Sequence, residues 1–115
     1  MLPKFFPNQN PFREWLEKNH ETETELLVRF NKVGSGKPNM TWPESVDQAL
    51  CFGWIDGVRR RIDDESYSIR FTPRKAGSIW SGVNIRKVEE LTNAGVMKPA
   101  GIAAFEKRTE KRPAI

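Results

Sequence analysis

The chain has 115 residues, a length that suits one domain with a single hydrophobic core and excludes two independent cores. Hydrophobic residues make up 37% and charged residues 30%, so much of the apolar area comes from four Trp, seven Phe and one Tyr. No apolar run approaches the ~20 residues of a membrane span. The amino terminus lacks the apolar segment of a secretory signal. These features predict a cytoplasmic protein without a membrane span.

Cysteine and histidine each occur once. A lone Cys51 permits no intrachain disulfide and fits a reducing compartment. A lone His20 excludes any site with two or more histidine ligands and argues against a Ser-His-Asp triad. We therefore expect no metal site, no cofactor and no catalytic residues.

The net charge of +4 is divided unevenly along the chain. Residues 1–57 carry six bases and eight acids, whereas residues 58–115 carry 13 bases and seven acids, a net charge of +6. A basic half indicates an anionic partner, namely nucleic acid, an anionic metabolite or an acidic protein surface. The alternative is a basic face that is simply solvated.

Residues 1–40 predict an arm, a helix and a strand in that order. Prolines at positions 3 and 7 predict an extended arm over residues 1–9. Asn10 followed by Pro11 predicts a helix N-cap with proline at the first helical position, and the helix should end near His20. Apolar residues that alternate with other residues predict a strand over 25–32.

A second helix and a β-hairpin follow. Thr41 and Glu44 have capping-box spacing, and Gly53 is a natural residue to end the helix. Residues 54–62 and 66–72 then predict two strands. A hairpin loop of two or four residues pairs Asp56 with Phe71, and it also gives the pairs Val58–Ile69 and Arg60–Tyr67.

That register divides the hairpin side chains between two faces. A three-residue loop without a bulge would instead set Ile62 against Ser66 and scramble the face. The predicted core side holds Trp54, Val58, Ile62, Tyr67, Ile69 and Phe71. The predicted outer side holds Arg59, Arg61, Ser68 and Arg70.

The last third of the chain predicts two more helices. One is capped by Ser78 or Ser81 and closed by Gly95, and a short one opens at Pro99. The predicted fold class is α+β, with a small antiparallel sheet of about three strands packed against three or four helices. We expect a single domain over residues 10–109 and a frayed tail over 110–115.

Asp56 is the first candidate site residue. It lies on the predicted apolar face beside Trp54 and opposite Phe71, and an unpaired buried carboxylate is very costly. The carboxylate is therefore either the polar anchor or acid–base group of a pocket, or a structural group. In the structural interpretation it accepts backbone or Arg/Lys hydrogen bonds at the mouth of the strand.

The second candidate lies before the third helix. Arg70 and Arg74 precede a helix start, where free N–H groups and guanidinium groups suit a phosphate or carboxylate. Trp80 has the shape to stack on a planar ligand. The alternative is a core Trp80, a capping serine and arginines paired with acids of the hairpin loop. The predicted pocket lies between the hairpin and this helix and is lined by Trp54, Asp56, Arg70, Arg74, Trp80, Ser81 and Asn84.

Several motifs follow one another along the chain. They are WPESVDQALCFGWIDG at 42–57, RFTPRK at 70–75, SIWS at 78–81 with Asn84, and GVMKPAG at 95–101. Together with FREWL at 12–16 and FNK at 30–32, they resemble the bacterial YdeI/OmpD-associated, or bacteriocin-protection, family. The resemblance covers about residues 10–108. It extends to the N-terminal core only, since members usually continue into a further C-terminal helical segment.

The resemblance implies a link to protection against bacteriocins or cationic antimicrobial peptides. With the candidate pocket, it leads us to expect a non-enzymatic protein that binds a small anionic ligand or a protein partner. One alternative is a nucleic-acid-binding module that uses the basic half, residues 58–115. Another is a small enzyme that uses Asp56 as a general acid or base.

Overall fold

The computed structural model describes residues 2–109, which form four strands and four helices. The predicted tail over 110–115 lies outside the described residues. None of these helices combines the length and the hydropathy that crossing a membrane requires. In chain order the elements are β1 (Lys4–Phe5), α1 (Gln9–Asn19), β2 (Leu26–Asn31), α2 (Trp42–Cys51), β3 (Trp54–Arg61), β4 (Ser66–Pro73), α3 (Gly82–Asn93) and α4 (Pro99–Glu106).

The strands form one mixed sheet in the order β1-β2-β4-β3. β4 is antiparallel to both of its neighbours, whereas β1 is parallel to β2. The α+β class is therefore confirmed, but the sheet has four strands and is not purely antiparallel. The added strand is β1, which lies within the predicted extended arm. Phe6 directly after it is buried and packs against Phe12 with ring centroids 5.2 Å apart, and this apolar contact holds the segment on the domain.

Two helix starts test the capping predictions. Asn8 rather than Asn10 caps α1, because the Asn8 side chain accepts a hydrogen bond from the Asn10 backbone N–H at 3.0 Å. Pro11 is still in the first turn, where a missing N–H costs no helical bond. The capping box of α2 is confirmed: Thr41 Oγ1 accepts from the Glu44 N–H at 3.3 Å, and Glu44 Oε1 accepts from the Thr41 N–H at 2.9 Å.

The hairpin register changes along its length. At the base, Asp56 pairs with Phe71 as predicted, but towards the tip Arg59 pairs with Ile69. A β-bulge at residues 57–58 inserts one extra residue into β3 and accounts for the shift. The Ile62 N–H donates to the Ser66 carbonyl at 3.0 Å, so the loop has three residues. The predicted pairs Val58–Ile69 and Arg60–Tyr67 are therefore wrong.

The bulge also exchanges which side chains face the helices. Val58 and Ile62 were predicted in the core, yet they are 60% and 41% exposed. Because Arg60 pairs with Ser68, it shares a face with Ser68 and Arg70. Arg59 and Arg61 point to the opposite side, so their predicted placement on the outer side is wrong.

The helices pack on one face of the sheet. The buried side chains that the sheet contributes to the main core all belong to this face: Leu26, Val28, Phe30, Trp54, Ile69 and Phe71. A smaller cluster joins Leu50 of α2, Trp80 and Val88 of α3. We call the other side the open face. It consists of Phe5, Leu27, Arg29, Asn31, Ile55, Arg60, Ser66, Ser68, Arg70 and Thr72.

Candidate functional site

The turn from α2 into β3 brings α4 and the end of β4 to one corner of the molecule. Gly53 makes the turn with a positive φ of 75°. A Cβ at this position would lie 2.9 Å from the Ala100 carbonyl oxygen and 3.0 Å from Ala104 Cβ, so the absence of a side chain lets α4 approach. The Gly53 carbonyl also accepts a hydrogen bond from the Arg74 N–H at 2.9 Å.

A cavity of about 320 Å³ lies at this corner. Its volume is at the lower end of the range for small-molecule sites. Its cationic lining comes from Arg74, Lys75 and Lys107, and its acidic lining from Glu21. Apolar side chains supply much of the remaining wall: Phe52, Trp54, Ala100, Ala103 and Ala104. The cavity therefore combines an apolar surface with an excess of positive charge.

Arg74 is the central cation of the corner. Its guanidinium carbon lies 3.9 Å from the centroid of the Trp80 ring, a cation–π contact that holds the guanidinium group in place. The Nε and Nη1 atoms are buried and have no hydrogen-bond partner among residues 2–109. Burial lowers the pKa of Arg74, and the nearby Asp56 charge opposes that shift. A guanidinium keeps its proton in proteins, so the unpaired N–H groups remain a local cost.

Two further polar atoms near Arg74 in the sequence are also unsatisfied. Trp80 is buried, its ring packs edge-on against Phe105 at 5.4 Å, and its Nε1 has no partner within the described part of the chain. The same holds for Ser78 Oγ. Neither Trp80 nor Ser78 is among the residues that line the Arg74 cavity, so of these unsatisfied donors only those of Arg74 belong to a cavity-lining residue.

Asp56 is held by another element. It is half-buried, and its Oδ2 accepts a hydrogen bond from Trp42 Nε1 at 3.1 Å. It lines a separate cavity of about 290 Å³ together with Trp42 and Arg59. Its charge still acts on Arg74 through space. This arrangement favours the structural interpretation of Asp56, a carboxylate hydrogen-bonded near the mouth of β3.

The other predicted site residues are divided among several places. Trp54 lines the Arg74 cavity but is only 1% exposed, and its ring packs edge-on against Trp15 at 5.6 Å. Arg70 lies on the open face, where it forms an ion pair with Glu25 at 2.9 Å. The structure does not bring Arg70 to the cavity, because alternation along β4 turns it away from the helices.

Ser81 and Asn84 also act locally. Ser81 is the exposed N-cap of α3, and its Oγ accepts a hydrogen bond from the Asn84 N–H at 3.1 Å. Neither residue is among those that line the Arg74 cavity. The predicted capping role of Ser81 is thus confirmed.

Sequence reasoning missed the contribution of Lys107. The end of α4 is tied to the loop after β4, because the Gly77 N–H donates to the Lys107 carbonyl at 2.9 Å and the Thr109 N–H donates to the Ser78 carbonyl at 3.0 Å. The loop after β4 and the end of α4 thus meet through backbone hydrogen bonds, which leave no hydrophobic periodicity in the sequence. The only sequence signal was the basic composition of residues 107–112.

A larger cavity of about 590 Å³ lies along the loop between β2 and α2. Its lining includes Tyr67, Trp42, Met40 and Lys37. Lys37 is already paired with Glu65 at 2.7 Å, so this cavity has less unsatisfied charge than the Arg74 corner. Among residues 2–109, no group of three or more His, Cys, Asp or Glu side chains is placed to hold a metal ion.

Comparison with known proteins yields one match. No curated protein and no solved structure is significantly similar to the chain. A family model described as Domain of unknown function (DUF8412) matches residues 4–104. The match runs from β1 into α4 and so includes the whole sheet and nearly all of the cavity lining. The chain therefore belongs to the DUF8412 family.

Proposed function

We propose that the protein is a non-enzymatic binding protein whose cavity at Arg74 takes a small anionic ligand. The observation that carries the proposal is the pair of buried guanidinium atoms, Nε and Nη1, that lack partners within residues 2–109. Nε–H and the Nη1 amino group lie on opposite edges of the guanidinium plane, so a carboxylate or phosphate accepts one charge-assisted hydrogen bond from either of them. The Trp80 ring beneath Arg74 supports it in one orientation.

The lining of the cavity narrows the ligand class. Its apolar walls, which include Phe52 and Trp54, favour a ligand with a short apolar chain or ring next to its acidic group. Lys75 and Lys107 add positive charge and favour anions over neutral molecules. A volume of about 320 Å³ suits a metabolite rather than a folded partner or a polymer.

Binding without catalysis is favoured by the positions of the titratable groups. Asp56 accepts the Trp42 N–H and lines a different cavity, so it is not placed to act on a ligand at Arg74. His20 lines the Arg74 cavity, but both of its ring nitrogens have neighbours within the chain: Nδ1 lies 2.7 Å from the Leu16 carbonyl oxygen and Nε2 lies 3.6 Å from Glu21 Oε1. The general acid–base role for Asp56 is therefore the weaker proposal.

The resemblance to the YdeI/OmpD-associated family leads us to propose a cellular role for anion binding at Arg74. In a cytoplasmic protein linked to bacteriocin and antimicrobial-peptide protection, a cationic cavity fits an anionic metabolite better than a cationic peptide. The protein would then contribute to protection by binding that metabolite. A host that lacks the gene and is complemented with Arg74→Gln should resist a cationic antimicrobial peptide less well than one complemented with Arg70→Gln.

The binding test uses simple anions as probes. Wild-type protein is titrated with inorganic phosphate, acetate, benzoate and phenylphosphate, while NMR follows Arg74 Nε–H and Trp80 Nε1–H. We expect the Arg74 signal to shift directly and the Trp80 signal to follow through its contact with the Arg74 guanidinium. Phenylphosphate or benzoate should bind more tightly than phosphate or acetate. Arg74→Gln should weaken binding about tenfold or more, because a charge-assisted hydrogen bond is lost.

Arg70→Gln is the matched control. It removes the same charge from the same strand region, but on the open face, so it should leave anion binding unchanged. The proposal fails if no probe shifts Arg74 Nε–H, or if the two variants weaken binding equally. Thermal melts confirm that both variants are folded.

A further inference from the structure

The open face of the sheet has a regular arrangement of side chains. In the register, one row crosses all four strands and reads Phe5 of β1, Arg29 of β2, Ser68 of β4 and Arg60 of β3. Neighbouring strands are about 4.8 Å apart, so the Cα atoms of the two arginines are about 10 Å apart. The row therefore offers two cations separated by a small hydroxyl side chain.

Small side chains form the centre of this surface. Ser66 and Ser68 lie along β4 and are 0% and 7% exposed, and the Ser66 Oγ donates a hydrogen bond to Asp63 Oδ1. A protein–protein interface usually has a large apolar centre, and serines do not supply one. Only Ser68 separates Arg29 from Arg60, so no bulky side chain stands between the two arginines and an extended chain that carries negative charge.

Neither arginine of this row forms an ion pair within residues 2–109. Arg29 Nε is buried and has no partner among residues 2–109. Arg60 is exposed, and within the same residues no acid lies within ion-pair distance of it. Arg70 on the same face is already engaged with Glu25. Arg29 and Arg60 thus form no ion pair in the part of the chain that the structure describes, but Arg29 lines a cavity with Asp63, Asp64 and Glu65 and its charge helps to lower the pKa of Asp63, so a phosphate competes with these acids for Arg29.

An aromatic ring completes the row. Phe5 is 42% exposed and lies next to Arg29 on the edge strand β1. Exposed aromatic rings beside cations are what proteins use to stack the bases of single strands. A flat sheet face has no helix or loop that would enter the major groove of a duplex.

We propose that the open face binds single-stranded nucleic acid, with phosphates on Arg29 and Arg60 and a base stacked on Phe5. This function is independent of the proposed anion cavity, which lies among residues of the helix-covered side. The proposal also names the surface on which positive charge of the chain would contact nucleic acid. Arg29 belongs to the acidic half, so the surface is not the basic half as a unit.

The arginine triplet supplies its own control. Arg59, Arg60 and Arg61 are neighbours in sequence, yet only Arg60 lies on the open face. Arg59 stacks on the Tyr67 ring at 3.8 Å, and Arg61 pairs with Asp64. Each can be changed to glutamine with the same loss of charge.

The experiment measures fluorescence anisotropy of a labelled oligothymidylate of about 15 nucleotides, with a duplex of the same length for comparison. Arg60→Gln and Arg29→Gln should each weaken binding about tenfold and lower the salt slope by about one. Arg59→Gln and Arg61→Gln should weaken it less than about twofold. Phe5→Ala should weaken it about fivefold or more through lost stacking.

Two variants sharpen the assignment. Glu25→Gln frees Arg70 from its ion pair and should tighten binding severalfold. Arg74→Gln should leave oligonucleotide binding unchanged, which separates this result from any result on the anion cavity. Circular dichroism melts establish that every variant is folded.

The proposal is overturned by any of four results. These are no binding to the oligonucleotide at about 50 mM salt, equal losses for Arg61→Gln and Arg60→Gln, duplex binding as tight as single-strand binding, and binding to anionic lipid vesicles in place of the oligonucleotide.

Discussion

The two ends of the β3–β4 hairpin are stabilised in different ways. At the base, where residues 54–56 pair with 71–73, the strands lie under the helices, and Phe71 packs edge-on against Phe12 at 5.3 Å. At the tip, where residues 59–61 pair with 67–69, an arginine replaces the helix as cover. There the Arg59 guanidinium lies 3.8 Å above the Tyr67 ring, whose other stacking partner is Phe30 at 5.3 Å.

The comparison shows how β3 lies in two different environments, under the helices at its base and beyond them at its tip. The extra residue at the bulge lets the base keep an apolar alternation and lets the tip follow a different one. As a result, Arg59 covers the Tyr67 ring and Arg61, on the same side, pairs with Asp64, while Arg60 is turned to the open face. The stability of the base therefore depends on buried apolar area, and that of the tip depends on a cation–π contact.

The largest expected effect separates the two ends directly. Trp54→Ala at the base should lower the free energy of unfolding by about 3–5 kcal/mol, because it empties a fully buried site. Arg59→Ala at the tip should cost about 0.5–1 kcal/mol, the value of an exposed cation–π contact. Urea denaturation followed by circular dichroism measures both. Similar losses for the two variants would contradict the comparison.

Glycine substitutions test how tightly α4 holds the base. A Cβ on Gly101 would clash with the Cys51 carbonyl oxygen and lie 2.7 Å from the Leu50 carbonyl oxygen, so α4 must move. Gly101→Ala should therefore cost about 1–3 kcal/mol and weaken anion binding at the Arg74 corner.

Gly82→Ala is the matched control, because nothing lies within 4 Å of the Cβ it would add at the start of α3. It should change the free energy of unfolding by less than about 0.5 kcal/mol. Equal melting temperatures for Gly101→Ala and wild type would show that the approach of α4 is not needed.

The elements that local signals specify could be predicted from the sequence. The capping box at Thr41, the turn at Gly53 and the pairing of Asp56 with Phe71 all depend on residues near one another in the chain. The α+β class follows from those elements. The turn and the base pair position the corner that Arg74 occupies.

The rest depended on contacts that leave no local pattern. Strand β1 is two residues long and is held on the domain by the burial of Phe6. It is too short to show the alternation of apolar and polar residues that predicts a strand. The bulge at residues 57–58 reverses the predicted facing of the β3 residues beyond it, whereas Tyr67, Ser68 and Ile69 of β4 keep their predicted sides. The Arg59–Tyr67 contact that accompanies the bulge joins residues eight apart in sequence. Arg70 is four residues from Arg74 in the sequence, but it lies on the outer side of the hairpin, as the predicted facing pattern of β4 requires, and therefore does not reach the cavity.

Deleting Val58 tests the bulge itself. The deletion leaves one residue opposite Arg70 and keeps the pairs Asp56–Phe71 and Arg59–Ile69. The side chains at the base and at the tip of β3 should therefore stay on the faces they have in the structure. We expect a change in stability of less than about 1 kcal/mol. Cross-strand NOEs between Arg59 and Ile69 report the register. Their loss, or a move of Arg60 to the helix side, would show that the bulge is required.

The smallest effects are opposite pH dependences at the two ends. Burial raises the pKa of Cys51, beneath the base, above 9.0, so the neutral thiol stabilises the fold and that contribution is lost as pH rises beyond this value. At the tip, a hydrogen bond from Ser66 Oγ at 2.8 Å and another from the Glu65 N–H lower the pKa of Asp63 below 3.8. Its contribution is lost as pH falls below that value.

Denaturation curves at about pH 3, 7 and 10 measure both slopes. Cys51→Ala should flatten the alkaline slope only, and Asp63→Asn the acid slope only. An alkaline slope that survives Cys51→Ala would assign it to another group.

The central position of β4 has a consequence for the order in which the molecule opens. Its amides and carbonyls bond to strands on both sides, and its pairing with β2 joins Leu26 to Phe71 across the whole of α2 and β3. β2 can therefore dock only after a long loop has closed, which slows folding more than forming the local hairpin does. We expect β4 amides to exchange with solvent deuterium last and β1 amides first. Release of β1 alone would uncover the edge of β2 while the rest of the sheet remains intact.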